Sequence, residues 1–273
     1  MTPGGAVVTG AGRGLGKEIA RLLVERGHLV LVTDIDEASA LTTAAELGER
    51  AVAHTLDVRS HAAVVAACDD IVARAGRLDV WVNNAGVLLT GPAWEQDEAA
   101  RRLMIEVNAL GTINGTIAAI QSMSGSKAGG HVVNIVSLAG LSAVAGEAVY
   151  AASKHAAIGF SLSTMADLRA AGIKTIDISC VCPDGIWTPM LQDKLDDPAS
   201  ALSFSGRLLQ PEEVVEAVRK VLDKPRLVTA VPPLRGALAR FGDIFPSFSL
   251  AAVPVFVKKG RRAQRKLRAQ IPE

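Results

Sequence analysis

Tyr150 and Lys154 stand four residues apart in Tyr150-Ala151-Ala152-Ser153-Lys154, a stretch that reads as helix. Residues at i and i+4 share one helical face, so a phenol and an ammonium occupy one small volume. A free phenol titrates near ~10, and a neighbouring cation favours the phenolate and pulls that value down. Moving it to about 7 takes roughly 4 kcal/mol of differential stabilisation, at ~1.4 kcal/mol per unit. A phenol so tuned is a competent general acid or base near neutral pH. Tyr150 is the only tyrosine of the chain. Taken alone, the pair fits better a buried tyrosine and an exposed lysine that meet by chance.

A second pattern changes that balance. Ala6-Val7-Val8-Thr9 reads as a strand, and Leu15, Ile19, Leu22 and Leu23 mark one face of a following helix. Between them lies Thr9-Gly10-Ala11-Gly12-Arg13-Gly14-Leu15-Gly16. Glycines at a strand-to-helix turn let backbone approach a pyrophosphate, which then rests on the helix N-terminus. Gly10, Arg13, Gly14, Leu15 and Gly16 are the candidate contacts; the bland reading is a tight turn without a ligand. Asp34 closes the next strand, where an acid accepts hydrogen bonds from ribose hydroxyls and repels a 2′-phosphate. Arg13 argues the other way, since a cation there welcomes a phosphate. Asp34 stands nearer the decisive atom, so NAD is expected and NADP is the less favoured cofactor.

These groups need a frame. Apolar runs at 29–33, 51–53, 79–82, 131–136, 175–181 and 226–231 read as six further strands, with helical patterns in the gaps. The best marked helix starts at Pro211, with Val214, Val215, Val218, Val221 and Leu222 as its stripe. Strict alternation predicts an α/β fold, a Rossmann-type doubly wound parallel sheet of about seven strands covered on both faces. Residues 1–235 are expected to form one dinucleotide-binding domain with a substrate loop at 183–210, and 236–273 a C-terminal extension. At 273 residues and 49% hydrophobic the chain supports one large core, and its net charge of +1 gives no hint of a nucleic-acid partner. Cys68, Cys180 and Cys182 read as buried thiols, and the five histidines show no metal-ligand spacing, so no metal is expected. Met1–Gly5 leads directly into a strand and no apolar run reaches the ~18–20 residues that span a bilayer. The expected compartment is the reducing cytoplasm.

In this order the motifs resemble those of the short-chain dehydrogenase/reductase family, over roughly residues 4–235. Asp57-Val58 follows strand three, Asn83-Asn84-Ala85-Gly86 closes strand four, Asn108 falls in a helix, and Ser137 precedes Tyr150 by thirteen residues, each as in that family. The resemblance implies that Asp57 and Val58 meet the adenine, and that Asn84, Ala85 and Gly86 line the cofactor. It implies that Tyr150 exchanges a proton with the substrate oxygen, while Lys154 lowers the phenol pKa and bonds the nicotinamide ribose. Ser137 donates to the carbonyl or alkoxide oxygen, and Asn108 holds a water that completes a proton relay. Pro183, Gly185, Ile186 and Thr188 are implied to hold the carboxamide. One departure stands out: Asp184 separates Pro183 from Gly185, where the family has Pro-Gly.

The same resemblance implies a small-molecule substrate and a homodimer or homotetramer, in which Ala152, Ala156 and Gly159 would allow helices to pack closely. Leu88, Leu89, Leu138, Val144, Trp187, Met190 and Leu191, from loops after strands four to six, are the candidate pocket lining. They offer no arginine or phosphate clamp, so an apolar secondary alcohol or ketone of steroid-, terpenoid- or lipid-like shape is expected. The extension combines a short helix near 237–242, apolar runs broken by Pro246 and Pro254, and seven cations within residues 258–268. That pattern fits peripheral contact with an anionic membrane, or a packed segment ending in a solvated helix. Two rival functions are a dinucleotide-binding redox sensor without turnover, which has no use for all four of Asn108, Ser137, Tyr150 and Lys154, and an epimerase or dehydratase using the same relay.

Overall fold

In the computed structural model, which describes residues 3–270, the apolar runs pair into a seven-stranded sheet. Its strands are β1 (Gly5–Thr9), β2 (Leu29–Asp34), β3 (Ala51–Thr55), β4 (Leu78–Asn83), β5 (Gly130–Ile135), β6 (Ile176–Pro183) and β7 (Val228–Val231). All neighbours are parallel, in the order β3-β2-β1-β4-β5-β6-β7. Val7 sits in register with Leu31 on one side and Trp81 on the other. Strand order reverses between β1 and β4, so the loops leaving these strands diverge and open a crevice at their carboxyl ends.

Helices cover both faces, because strands this apolar must be buried on both sides. α1 (Gly14–Glu25) and α8 (Pro211–Asp223) lay Ile19, Leu22, Leu23, Val214, Val218 and Val221 on one face. α8 starts with Pro211 and a reciprocal cap between Gln210 and Glu213. α3 (His61–Ala75), α5 (Gly111–Ser124) and the end of α6 (Ala148–Ala170) cover the other face, where Ile71, Met123 and Leu168 pack around the fully buried Trp81. α2 (Glu37–Leu47) adds Ala44 to the first layer. α4 (Glu98–Ile105) runs through a π-helical turn, Glu106–Leu110, into α5. The continuous helix 98–124 is long and apolar enough by composition to cross a bilayer, although no unbroken apolar run in the sequence announces it. Half of its apolar window is buried inside the domain, against α3, β4 and α6.

The C-terminal segment departs from expectation. After α7 (Pro189–Gln192) and a 3₁₀ turn at Pro198–Phe204, the chain ends in α9 (Pro233–Ile244) and α10 (Pro246–Arg268). Pro246 marks the break between α9 and α10 and opens the second, whereas Pro254 lies inside α10 without ending it. The carbonyl that Pro254 cannot satisfy belongs to Leu250, which is exposed, so water can take the missing partner's place. Contacts made further along hold α10 in place. A Cβ on Gly260 would collide with the Ala201 carbonyl, so helix and 3₁₀ turn touch backbone to backbone. Buried Gln264 donates to the carbonyl of Asp197 at 2.8 Å and to Ser200 Oγ at 3.0 Å.

Candidate active site

The turn after β1 has a conformation that its glycines make possible. Gly10 and Gly14 have φ of 61° and 58°, the left-handed region where a side chain is strained. A Cβ on Gly16 would strike the Gly10 carbonyl, so α1 starts hard against the turn. Asn84 Nδ2 donates to the carbonyls of Thr9 and Gly10, each at 3.0 Å, and the Thr9 hydroxyl accepts from the amides of Asn84 and Ala85. The first loop and the turn after β4 are thereby locked across the crevice. Asp34 accepts from the Gly12 amide at 3.0 Å and the Asp36 amide at 3.1 Å, which fixes its carboxylate beside the glycine loop. Asp57 is gripped by Arg59 at 2.7 Å, and that guanidinium holds its carboxyl below the usual value.

A cavity of about 640 Å³ runs from this cradle across the carboxyl ends of β1, β4, β5 and β6. Its walls include Gly10, Arg13, Gly14, Leu15, Gly16, Asp34, Asp57, Val58, Asn84, Ala85 and Gly86 at one end. Ser137, Tyr150, Lys154, Pro183, Gly185, Ile186 and Thr188 stand further along. Side-chain-free backbone facing the cavity, a helix N-terminus and a fixed acid at the end of β2 fit a dinucleotide.

Ser137 Oγ accepts from the Ala139 amide at 3.1 Å, leaving its proton to donate elsewhere. Lys154, 5% exposed, donates to the Ile135 carbonyl at 3.2 Å and lies 5.6 Å from the centre of the Tyr150 ring. Asn108 sits in the π-helical turn, outside the cavity wall, and its side chain is bound to neighbouring protein groups: Oδ1 accepts from Val87 N at 2.8 Å, and Nδ2 donates to Val87 O at 2.9 Å and Ser153 Oγ at 3.1 Å. It ties the loop after β4 to α6, one residue before Lys154, and so positions that lysine.

The phenol also departs from expectation. Burial pushes the Tyr150 pKa up, the nearby Glu147 carboxyl pushes it further, and the Ser137 hydroxyl only partly opposes them. Lys154, its own pKa lowered by burial to about 8 and its ammonium turned to the Ile135 carbonyl, does not outweigh that rise. Tyr150 is therefore protonated throughout the neutral range, the state a proton donor needs.

Glu147 went unrecognised in the sequence. It is 2% exposed, lines the cavity, and takes one side-chain hydrogen bond, from Ser203 Oγ at 2.5 Å. Burial raises its pKa to about 7, against the Ser203 bond and with help from Asp197 and Asp184. Between 4.5 and about 7 the folded chain holds a proton here that the unfolded chain has released, so stability falls as pH rises through that window. At ~1.4 kcal/mol per unit the loss approaches about 3 kcal/mol. Measured by urea unfolding, the stability of Glu147→Gln relative to the parent is expected to rise by about 3 kcal/mol from pH 5 to pH 8, a difference in which the opposite contribution of His131, its pKa lowered by burial to about 4, cancels. A difference between variant and parent that stays constant with pH would contradict this assignment.

Of the expected pocket residues, Leu88, Leu138, Val144, Met190 and Leu191 line the cavity. Trp187 and Leu89 do not. Ile186 pairs with Leu209 in an isolated bridge, and successive extended residues point oppositely, so Ile186 faces the cavity while Trp187 packs with Leu191, Leu195 and Phe204. The remaining wall comes from the C-terminal segment: Leu238, Phe241, Phe248 and Phe256. Four of the six phenylalanines fall at 241–256, a signal the sequence did offer. Asp184 now has a reason as well. It pairs with Arg235 of α9 at 2.8 Å, joining the loop after β6 to that wall and neutralising an arginine that also lines the cavity.

Comparison with known proteins agrees with this geometry. The short chain dehydrogenase family profile matches residues 5–199. The sex determination protein tasselseed-2 of Zea mays is 34% identical over 253 residues, 88% of this chain and 73% of that one. The 3-beta-hydroxysteroid dehydrogenase of Comamonas testosteroni is 33% identical over 226 residues, 78% of this chain and 86% of that one. A short chain dehydrogenase/reductase from Burkholderia phymatum, solved in complex with NAD, superposes with a TM-score of 0.81 at 25% identity, covering 91% of this chain and 96% of its own. With its parallel sheet, glycine cradle and serine, tyrosine and lysine on one wall, this chain belongs to the short-chain dehydrogenase/reductase family of oxidoreductases.

Proposed function

We propose that this protein is an NAD-dependent dehydrogenase or ketone reductase acting on apolar secondary alcohols or ketones of steroid-, terpenoid- or lipid-like shape. The observation that carries the reading is one cavity with Ser137, Tyr150 and Lys154 beside the glycine cradle at one end and leucine, methionine and phenylalanine walls at the other. A nicotinamide dinucleotide bound in the cradle supplies the hydride acceptor or donor. Gly10, Gly14 and Gly16 would admit its pyrophosphate to the N-terminus of α1, and Asp34 would hold its ribose. Ser137 donates to the substrate oxygen and stabilises charge developing there. Tyr150 gives a proton to that oxygen in reduction and takes it back in oxidation, and the Lys154 ammonium stabilises the phenolate left behind.

Asp34 supports NAD over NADP through its fixed carboxylate. The three free, buried cysteines support a cytoplasmic setting. The exposed Ala152, Ala156 and Gly159 on α6 support a homodimer or homotetramer. The test is a panel of secondary alcohols assayed with both cofactors. Apolar alcohols should give the higher kcat/KM, NAD should exceed NADP by at least ~tenfold, and Asp34→Ser should narrow that ratio. Preference for polar or anionic alcohols, or for NADP, would contradict the proposal.

A further inference from the structure

We propose that α9 and α10 form a docking face for an anionic lipid surface, through which the cavity takes its substrate directly from the membrane. The docking stands on its own observations; the delivery rests on the apolar-substrate reading above.

The first observation is exposed apolar surface. Ile244, Phe245, Phe248, Leu250 and Val255 are all exposed, Phe248 by 67%. Phe241, Phe245 and Phe248 form an aromatic cluster on the outside of the molecule, with ring centroids 4.8 and 6.0 Å apart. A contiguous patch of this kind marks an interaction site. The second observation is continuity: Leu238, Phe241, Phe248 and Phe256 belong both to this surface and to the cavity wall. The patch is the rim of the cavity mouth.

Charge identifies the occupant. Residues 233–270 carry nine lysines and arginines and one acid, Asp243, a net +8. The whole chain carries +1, so the rest carries −7. Gly260 and Gln264 turn one side of α10 to the domain, and Lys258, Arg262 and Lys266 are exposed on the others. Among the described residues these three make no ion pair, and only Arg235 and Arg268 of the segment do. Exposed aromatic and aliphatic side chains continuing into unpaired cations along one helix match the interfacial mode of binding, with the apolar part in the acyl boundary and the cations on acidic headgroups. A second copy fits this face poorly, since a two-fold contact would set +8 against +8.

The experiment uses the full-length protein with vesicles of phosphatidylcholine alone or with phosphatidylglycerol, read by co-sedimentation. Binding is expected to the mixed vesicles, at least ~tenfold stronger than to phosphatidylcholine alone, and to weaken with salt. Lys258→Glu, Arg262→Glu and Lys266→Glu combined should lower it ~tenfold or more. Ile244→Ser, Phe245→Ser, Leu250→Ser and Val255→Ser combined should also lower it, while leaving unfolding temperature and turnover of a water-dissolved alcohol unchanged. For a vesicle-dissolved alcohol the same variant should raise KM and not kcat. Equal partitioning of parent and variants, or no binding by folded parent protein, would overturn the proposal. So would light scattering that shows the variants losing self-association instead of vesicle binding. Vesicle binding without turnover of any apolar alcohol would leave the docking intact and refute the functional reading.

Discussion

Tyr150→Phe is expected to lower kcat by on the order of 10²–10⁴ while leaving dinucleotide binding intact. The ring keeps its place between Ser137 and Lys154, and the cradle formed by Gly10, Gly14, Gly16 and Asn84 lies elsewhere in the cavity. Only the proton is lost. At ~1.4 kcal/mol per tenfold this equals about 3–5.5 kcal/mol of transition-state stabilisation. Steady-state turnover gives the first number and tryptophan quenching by the cofactor the second. A phenylalanine variant as fast as the parent would remove Tyr150 from the mechanism, and one that no longer bound cofactor would make its role structural.

Lys154→Met is expected to be nearly inactive and yet more stable. Removing one preorganised charge from the reacting oxygens costs on the order of 10²–10³ in kcat. The same charge burdens the fold, because burial has lowered its pKa from 10.5 to about 8. That shift corresponds to about 3 kcal/mol at ~1.4 kcal/mol per unit. The lost hydrogen bond to the Ile135 carbonyl returns ~1 kcal/mol, leaving a gain near 2 kcal/mol. The sign with pH follows. The penalty is fully present below about 8 and disappears as pH rises to 10.5, because the unfolded chain then keeps a proton the folded one has released. The advantage of the variant in thermal unfolding should therefore be largest near neutral pH and shrink in alkali. Parent turnover should fall as pH rises past about 8, where Lys154 loses its charge. A variant both less stable and fully active would contradict this account of Lys154.

Sequence patterns revealed those parts of the site whose partners lie within a few residues or on one βα turn. The Tyr150–Lys154 spacing, the glycine loop and Asp34 at the end of β2 were of this kind, and strand alternation carried the sheet. What escaped depends on contacts closed over long stretches of chain. Ser203 reaches Glu147 across 56 residues, and Arg235 reaches Asp184 across 51. Neither pair has a local signature, so neither the carboxyl in the cavity nor the reason for Asp184 could be read in advance. Proline rules placed breaks at 246 and 254; the first falls between α9 and α10, but anchorage through Gly260 and Gln264 holds one helix across the second. The direction of the phenol shift was missed for a related reason. Spacing identifies a neighbouring cation but not the loss of solvent that raises the phenol, nor the carbonyl that claims the ammonium. Trp187 was misplaced by reading composition without the alternation of an extended segment.

Hydride transfer between an apolar secondary alcohol and NAD is the central claim, and isotope transfer tests it most directly. The enzyme is supplied with NAD and an apolar secondary alcohol deuterated at the carbinol carbon, and the cofactor is recovered and weighed by mass spectrometry. The account predicts reduced cofactor carrying one deuterium, formed by the parent and hardly at all by Tyr150→Phe. Reduced cofactor without the label, or bound NAD that is never reduced by any alcohol in the panel, would contradict it.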